Sequence, residues 1–309
     1  MSISRSLFLR ASKNRWLAEK FMRRPFARRA VKRFMPGEEL VDALAASKQL
    51  AAVRIGSIIT RLGETLTGES QADAVRDHYL DAFDQILKGG LPTVVSVKPT
   101  QLGLDLSLDV CLQNLEMLAA KATATGSQLW IDMEDSSSVD RTLDLYRRLK
   151  GKYEPVGVCL QAYLRRTPDD VTALLPLRPW IRLVKGAYTE PPNIAFPSRK
   201  DVDAQYASLA ERLITAAAAE DAFPVFGTHD LELLRGIISR AARAHVAPGG
   251  YEIHMLYGIR SQEQRALVSE GRVVRCLISY GHQWFPWYMR RLAERPANVW
   301  FVVRSAFMR

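Results

Sequence analysis

Ionisable and amide side chains recur in this sequence at the ends of short β-rich runs, where they are costly unless paired or turned toward a ligand. Lys98 closes TVVSVK, Asp132 and Met133 close QLWIDM just before Glu134, and Gln161 closes PVGVCLQ. Arg182 and Lys185 lie in WIRLVK ahead of Gly186, Ala187 and Tyr188, and Thr228 ends FPVFGT ahead of His229. The first run leads to Arg61-Leu62-Gly63-Glu64. His254 stands before Met255-Leu256-Tyr257-Gly258, and the last run leads to Tyr280-Gly281-His282 and then Arg290-Arg291. Cations dominate this set: Lys98, Arg182, Lys185, Arg290 and Arg291. They suit an anionic target, a carboxylate or a phosphate, and adjacent arginines can fork onto one carboxylate. Lys98 or Lys185 as a Schiff-base nucleophile is an open alternative on charge alone. No metal is expected. His229, His254 and His282 lack the short spacings of metal ligands, and Asp132 with Glu134 is a weak pair.

These residues must be positioned by regular elements. Residues 53–59, 93–98, 128–133, 155–161, 180–185, 223–228, 250–254 and 273–278 read as strands. Helical periodicity falls near 71–88, 107–125, 137–150, 167–175, 200–220, 230–244, 261–270 and 285–295. Eight alternations predict an α/β fold with a parallel sheet closed as a (β/α)8 TIM-type barrel, which gathers its chemistry at the C-terminal ends of the strands. No Gly-x-Gly-x-x-Gly follows the first strand, which argues against a Rossmann sheet. A chain of 309 residues with 48% apolar and 25% charged residues is long enough for such a barrel and is neither disordered nor fibrous. No run approaches 18 uncharged apolar residues, the length of a spanning helix. Cys111, Cys159 and Cys276 are too far apart in sequence for a disulfide framework and fit a reducing cytoplasm.

Charge divides the chain into a basic arm, residues 1–35, and a neutral body, residues 36–309. The arm carries eleven lysines and arginines and one glutamate, and the body balances. Leu7, Phe8, Leu9, Trp16, Leu17, Phe21, Met22 and Phe26 interleave with the arm's cations. It superficially resembles a transit peptide but has no apolar core of a secretory signal. A helical arm packed on the domain is one use of such a pattern. Peripheral contact with the anionic inner face of a membrane is another. Nucleic acid is not expected, since no reading module accompanies the charge.

The segments VSVKPTQLG, IDMED, CLQAYLRR, WIRLVKGAYTE, FGTHD, EIHMLYG and YMRRLAE occur in this order. Together, over roughly residues 33–304, they resemble the proline dehydrogenase family of flavin-dependent barrels, most closely its short monofunctional bacterial members. The resemblance implies noncovalent FAD and oxidation of L-proline to Δ1-pyrroline-5-carboxylate by hydride transfer to the flavin, with electrons passed on to a quinone. It implies that Lys98, Arg290 and Arg291 bind the substrate carboxylate and that Asp132 holds Lys98. Arg182 would serve both the reaction and the cofactor. Gln161, Lys185, Gly186, Ala187, Thr228, His229, Leu256 and the backbone of Met133 would contact FAD. Glu64 would pair with Arg290 as a gate, and Glu294 would support the last helix.

Some positions depart from the family pattern. Leu277 stands where a tyrosine near the substrate ring is common, Trp287 where tyrosine precedes the arginine pair, and His254 where glutamine is usual. Pro99 follows Lys98 in place of a small residue. The carboxylate and flavin sets are intact, so a substituted or related cyclic amino acid is the alternative substrate. A Schiff-base or phosphate-binding barrel lyase is the more remote alternative.

Overall fold

A strand held between a helical layer and a packed interior must be apolar on both faces, and TVVSV and VGVCLQ are buried at every position. In the computed structural model, which describes residues 31–63, 66–285 and 287–289, such runs form eight parallel strands. They are β1 Gly56–Arg61, β2 Thr93–Val97, β3 Leu129–Ile131, β4 Val156–Gln161, β5 Trp180–Val184, β6 Phe223–Gly227, β7 Glu252–Leu256 and β8 Val274–Tyr280. Each pairs with the next, and β8 returns to β1 from Gly56↔Arg275 to Arg61↔Tyr280, which closes the barrel. The helices are α1 Leu40–Ala51, α2 Glu69–Lys88, α3 Leu108–Ala124, α4 Val139–Lys150, α5 Thr167–Leu174, α6 Arg199–Ala218, α7 Leu231–Arg243 and α8 Ser261–Ser269. None among the described residues is long and apolar enough to cross a membrane.

Period-two alternation sorts the strand side chains. Those facing outward join the helices in one large core that includes Val95, Ile131, Val158, Ile181, Phe226 and Ile278. Those facing inward begin with an apolar plug of Ile58, Val94, Trp130 and Val225, flanked by Trp180, Phe223 and Leu277. Two residues further along the same strands come Thr60, Ser96, Asp132, Arg182 and Ser279, so the interior turns polar toward the C-terminal mouth. A separate cluster joins Val31, Phe34, Met35 and Leu62 to Trp284, Phe285, Trp287, Tyr288 and Met289.

Several boundaries differ from the sequence expectation. β1 starts at Gly56 because the N–H groups of Val53, Arg54 and Ile55 turn back to carbonyls of α1, with Arg54 left-handed at φ 60°. The helix α1 was not expected; its buried stripe is Leu40, Ala43, Ala46 and Ser47. β7 starts at Glu252 because Pro248–Gly250 forms a tight 3-10 turn. His254 is therefore mid-strand and buried, and Leu256 is the strand end. β8 continues through Tyr280, so Leu277 lies within the barrel and not at its rim. Residues 284–285 and 287–289 are helical, while the rest of the expected 285–295 helix lies outside the described residues. The same holds for residues 1–30 of the arm. Val31, Phe34 and Met35, assigned to the arm, pack into the cluster above.

Candidate active site

Lys98 reaches the mouth because Pro99 follows it. A residue before proline is held extended, and Lys98, at φ −101° and ψ 127°, caps the short 3-10 turn Pro99–Leu102. Its Nζ donates to Asp132 Oδ2 at 3.4 Å. Asp132 sits one residue past β3, its N–H bonded to the Val97 carbonyl at 2.8 Å. The other carboxylate oxygen accepts from Arg182 Nη2 and from Ser96 Oγ, the latter at 2.8 Å. Arg182 Nη2 also donates to Ser96 Oγ at 2.9 Å. Asp132, Ser96, Arg182 and Lys98 thus form one array across β2, β3 and β5. Burial pushes the Asp132 carboxyl up, but the charges of Arg182 and Lys98 and the Ser96 hydroxyl more than offset it and hold it below its usual value. The Arg182 guanidinium is buried, yet the Asp132 charge keeps it firmly protonated.

Gln161 closes β4 beside this array. Its Nε2 donates to the carbonyls of Glu134 at 3.1 Å and Met133 at 3.4 Å. Glu134, flanking Asp132, is engaged elsewhere and accepts from Thr100 N at 3.0 Å and Thr100 Oγ1 at 2.8 Å. The buried polar atoms without a partner within the protein include Gln161 Oε1 and Arg182 Nη1. An unpaired buried acceptor and donor are each costly, so the pair suits a bound heterocycle that offers both functions.

Lys185 and its neighbours form a second region. Lys185 Nζ donates to the Asp203 carboxylate and to Asp230 Oδ2, the latter at 2.9 Å. The exposed Arg199 stands 3.6 Å from both acids. Burial raises the Asp230 carboxyl, and Lys185 with backbone N–H groups of α7 lowers it further than burial raises it. Gly186 is left-handed at φ 116°, and a Cβ there would lie 2.2 Å from the Tyr163 ring, so only glycine fits. Ala187 follows in the same loop. Thr228 Oγ1 accepts from Asp230 N at 3.2 Å, and His229 Nε2 accepts from Leu256 N at 2.9 Å, which ties the mouth ends of β6 and β7. Glu190 clasps two loops by accepting from Ser136 N at 2.8 Å and Ser136 Oγ at 2.7 Å.

The structure therefore brings together Lys98, Asp132, Met133, Gln161 and Arg182. It places Lys185, Gly186, Ala187, Thr228, His229 and Leu256 on the adjoining rim of β5, β6 and β7. Leu277 packs in the interior plug, and Trp287 packs in the separate cluster with Val31 and Leu62. His254 is wholly enclosed, donating from Nε2 to Glu252 Oε2 at 2.9 Å. Glu64, Arg290, Arg291 and Glu294 lie outside the described residues. Sequence reasoning missed Ser96, Trp130, Asp203 and Asp230. Period two would have revealed Ser96, a polar residue that stands two residues before Lys98. Nothing local marks Asp203, which comes from the second turn of α6.

The fold is thus a closed (β/α)8 barrel with an arginine–carboxylate–lysine array at its C-terminal mouth. The family model for proline dehydrogenase matches residues 43–304. The chain is 34% identical over 301 residues to proline dehydrogenase 1 of Bacillus subtilis subsp. natto, covering 97% of this chain and 98% of that protein. It is likewise 34% identical over 279 residues to the proline dehydrogenase of Deinococcus radiodurans, covering 88% of each. Among solved structures, proline utilization A (PutA) from Bdellovibrio bacteriovorus superposes with a TM-score of 0.80 at 22% identity over 94% of this chain. The chain spans about a third of that longer polypeptide, 36%. The chain belongs to the proline dehydrogenase family. That membership sets aside the lyase alternative, and Lys98 paired to a carboxylate is poorly suited to a Schiff base.

Proposed function

We propose that this protein oxidises L-proline to Δ1-pyrroline-5-carboxylate with noncovalently held FAD, and that a quinone takes the electrons. Family membership makes oxidation of proline, a step of proline catabolism, the reaction. The observation that carries the finer assignment is the Lys98–Asp132–Arg182 array beside the unpartnered Gln161 Oε1 and Arg182 Nη1. FAD, when bound, supplies the two-electron acceptor that no amino-acid side chain provides.

The chain's own residues do the rest. Lys98, with Arg290 and Arg291, grips the substrate carboxylate and fixes the ring's orientation, since cations on one carboxylate restrict both distance and tilt. Asp132 holds Lys98 in place and neutralises Arg182, so the mouth keeps a net positive charge without an unpaired buried cation. Gln161, Arg182, Lys185, Gly186, Ala187, Thr228, His229, Leu256 and the Met133 backbone are the residues that hold the cofactor. Two of these assignments call for local adjustment: Lys185 already has two carboxylate partners, and the Met133 carbonyl accepts from Gln161. Glu64 and Arg290 close the site as a pair. The basic residues 1–30 suit an anionic membrane surface, where a quinone is available.

The test is anaerobic titration of the purified protein, reconstituted with FAD, using L-proline and a panel of substituted prolines. Loss of flavin absorbance with L-proline is expected. A protein that neither binds FAD nor is stabilised by it refutes the assignment. Leu277 in the apolar plug favours a second possibility, a substrate ring carrying an extra apolar group. In that case Leu277→Tyr shifts kcat/KM back toward plain proline by tens of fold, the range that about 1–3 kcal/mol of pocket contact allows. An unchanged ratio rules it out.

A further inference from the structure

Trp130 lies at the centre of the barrel with no solvent exposure. Its indole has partners on several sides. Nε1 donates to Gln128 Oε1 at 3.1 Å. The Arg182 guanidinium lies over the ring, its Cζ 5.3 Å from the centroid. His254 meets it edge-on at a centroid distance of 5.6 Å and an angle of 76°, and Trp180 packs at 6.5 Å. On β4, Gly157 leaves the space the ring needs, because a Cβ there would come within 2.5 Å of Trp130 Cζ3. His254 is itself anchored by Glu252, which also accepts from Arg275 Nε at 2.8 Å.

An apolar plug needs volume and shape, and leucine or phenylalanine could supply both. It does not need an electron-rich face beneath a buried guanidinium. Arg182 is held along one side by Asp132 and Ser96 through Nη2, while Nη1 has no partner in the protein. Hydrogen bonds at one edge leave the guanidinium plane able to tilt. A ring against its face removes that freedom and offsets part of the cost of burying the charge.

The geometry points to Trp130 as a positioning residue: its indole face sets the height and tilt of Arg182, so that the edge not held by Asp132 and Ser96 meets the bound cofactor in one orientation. This rests on the assignment of Arg182 to the flavin. Tryptophan at position 130 is replaced, by codon suppression, with mono-, di- and tetrafluorotryptophan, which keep the ring's shape and weaken its π face stepwise. The series is read by FAD affinity from flavin fluorescence, by kcat/KM with L-proline and by melting temperature. Both FAD affinity and kcat/KM should fall stepwise, the latter about tenfold from tryptophan to the tetrafluoro ring, while the melting temperature falls by no more than a few degrees. In an Arg182→Met background the dependence on fluorination should vanish. A flat series overturns the proposal, and so does a slope that persists without Arg182. If Arg182→Met alone binds FAD and turns over proline like the wild type, the assignment of Arg182 itself fails, a result distinct from a flat series.

Discussion

Asp132→Asn is the sharpest test of the array at the barrel mouth. The substitution keeps the side chain's volume and one acceptor oxygen but removes the charge that two cations share. Arg182 is only 4% exposed at its side chain, whereas Lys98 is 19% exposed. Stranding a buried charge costs about 3–5 kcal/mol, and a partly solvated pair is worth about 1 kcal/mol or less. Nearly all of the loss therefore comes from Arg182, and the new amide N–H2 must face either Lys98 or Arg182 with Ser96, which worsens it. Taking about 3 kcal/mol, the melting temperature should drop by roughly 6–12 °C, at about 2–4 °C per kcal/mol for a large domain. Because the carboxyl is held below its ordinary value, its contribution is complete at neutral pH and is lost as the pH falls through the folded-state value. The wild-type melting curve should accordingly steepen below about pH 4, the unfolded-state carboxylate value, and converge on that of the variant. Turnover of L-proline with a dye acceptor should fall at least about 100-fold in kcat/KM, which corresponds to about 2.7 kcal/mol. A variant that melts within a degree or two of wild type and turns over normally would refute the claim that Asp132 neutralises and orients this array.

Arg291→Met should raise KM for proline by the equivalent of about 2–4 kcal/mol while FAD stays bound, and Arg290→Met should do the same; a normal KM in either shows the carboxylate fork to be misassigned. Deleting residues 1–30 should preserve dye-linked turnover but weaken salt-sensitive binding to anionic vesicles, by about 1 kcal/mol per basic residue near the surface; equal vesicle binding excludes an electrostatic anchor. Deletion through residue 35 should in addition lower the melting temperature, because Val31, Phe34 and Met35 pack against Trp284 and Tyr288. Burial lowers the His254 imidazole to about 4; the hydrogen bond and charge of Glu252 oppose it without cancelling it, and the charges of Arg182 and Arg275 add a lesser push in the direction of burial. The unfolded chain therefore binds a proton that the folded chain excludes, and stability should fall as the pH drops from about 6.5 toward 4. His254→Gln should reduce that slope to the part left by His78, which burial likewise lowers to about 4, and an unchanged slope means that the His254 imidazole does not contribute.

The barrel was legible because eight short β-rich runs alternate with segments of helical periodicity, a pattern that few architectures satisfy. Within the site, the residues that could be read were those whose polarity conflicts with their surroundings: Lys98, Asp132, Gln161 and Arg182. Trp130 was illegible for the opposite reason, since a tryptophan inside a strand looks like ordinary core until its neighbours are known. His254 and Leu277 seemed to stand at strand ends because Pro248–Gly250 delays β7 and because β8 runs on to Tyr280. A shift of two residues preserves facing and changes depth, so periodicity could not detect the error. Asp203 and Asp230 meet Lys185 only through the docking of α6 and α7, a long-range arrangement with no local trace.

The closure of β8 onto β1 also sets a schedule for synthesis. β1 can pair with β2 as soon as both have left the ribosome, but its other edge waits for residues 274–280. Val31, Phe34 and Met35 wait still longer, for Trp284 and Tyr288. Glu38, which accepts from Trp284 Nε1 at 3.0 Å and His282 Nδ1 at 2.8 Å, has the same delay. At about 5–20 residues per second the nascent chain carries an open strand edge and an uncovered apolar segment for on the order of tens of seconds. An unpaired edge is a template for pairing with another chain. Chains stalled before β8 should therefore be the aggregation-prone species, and chaperones that shield sheet edges should engage this protein near its N-terminal end until its last strand has emerged.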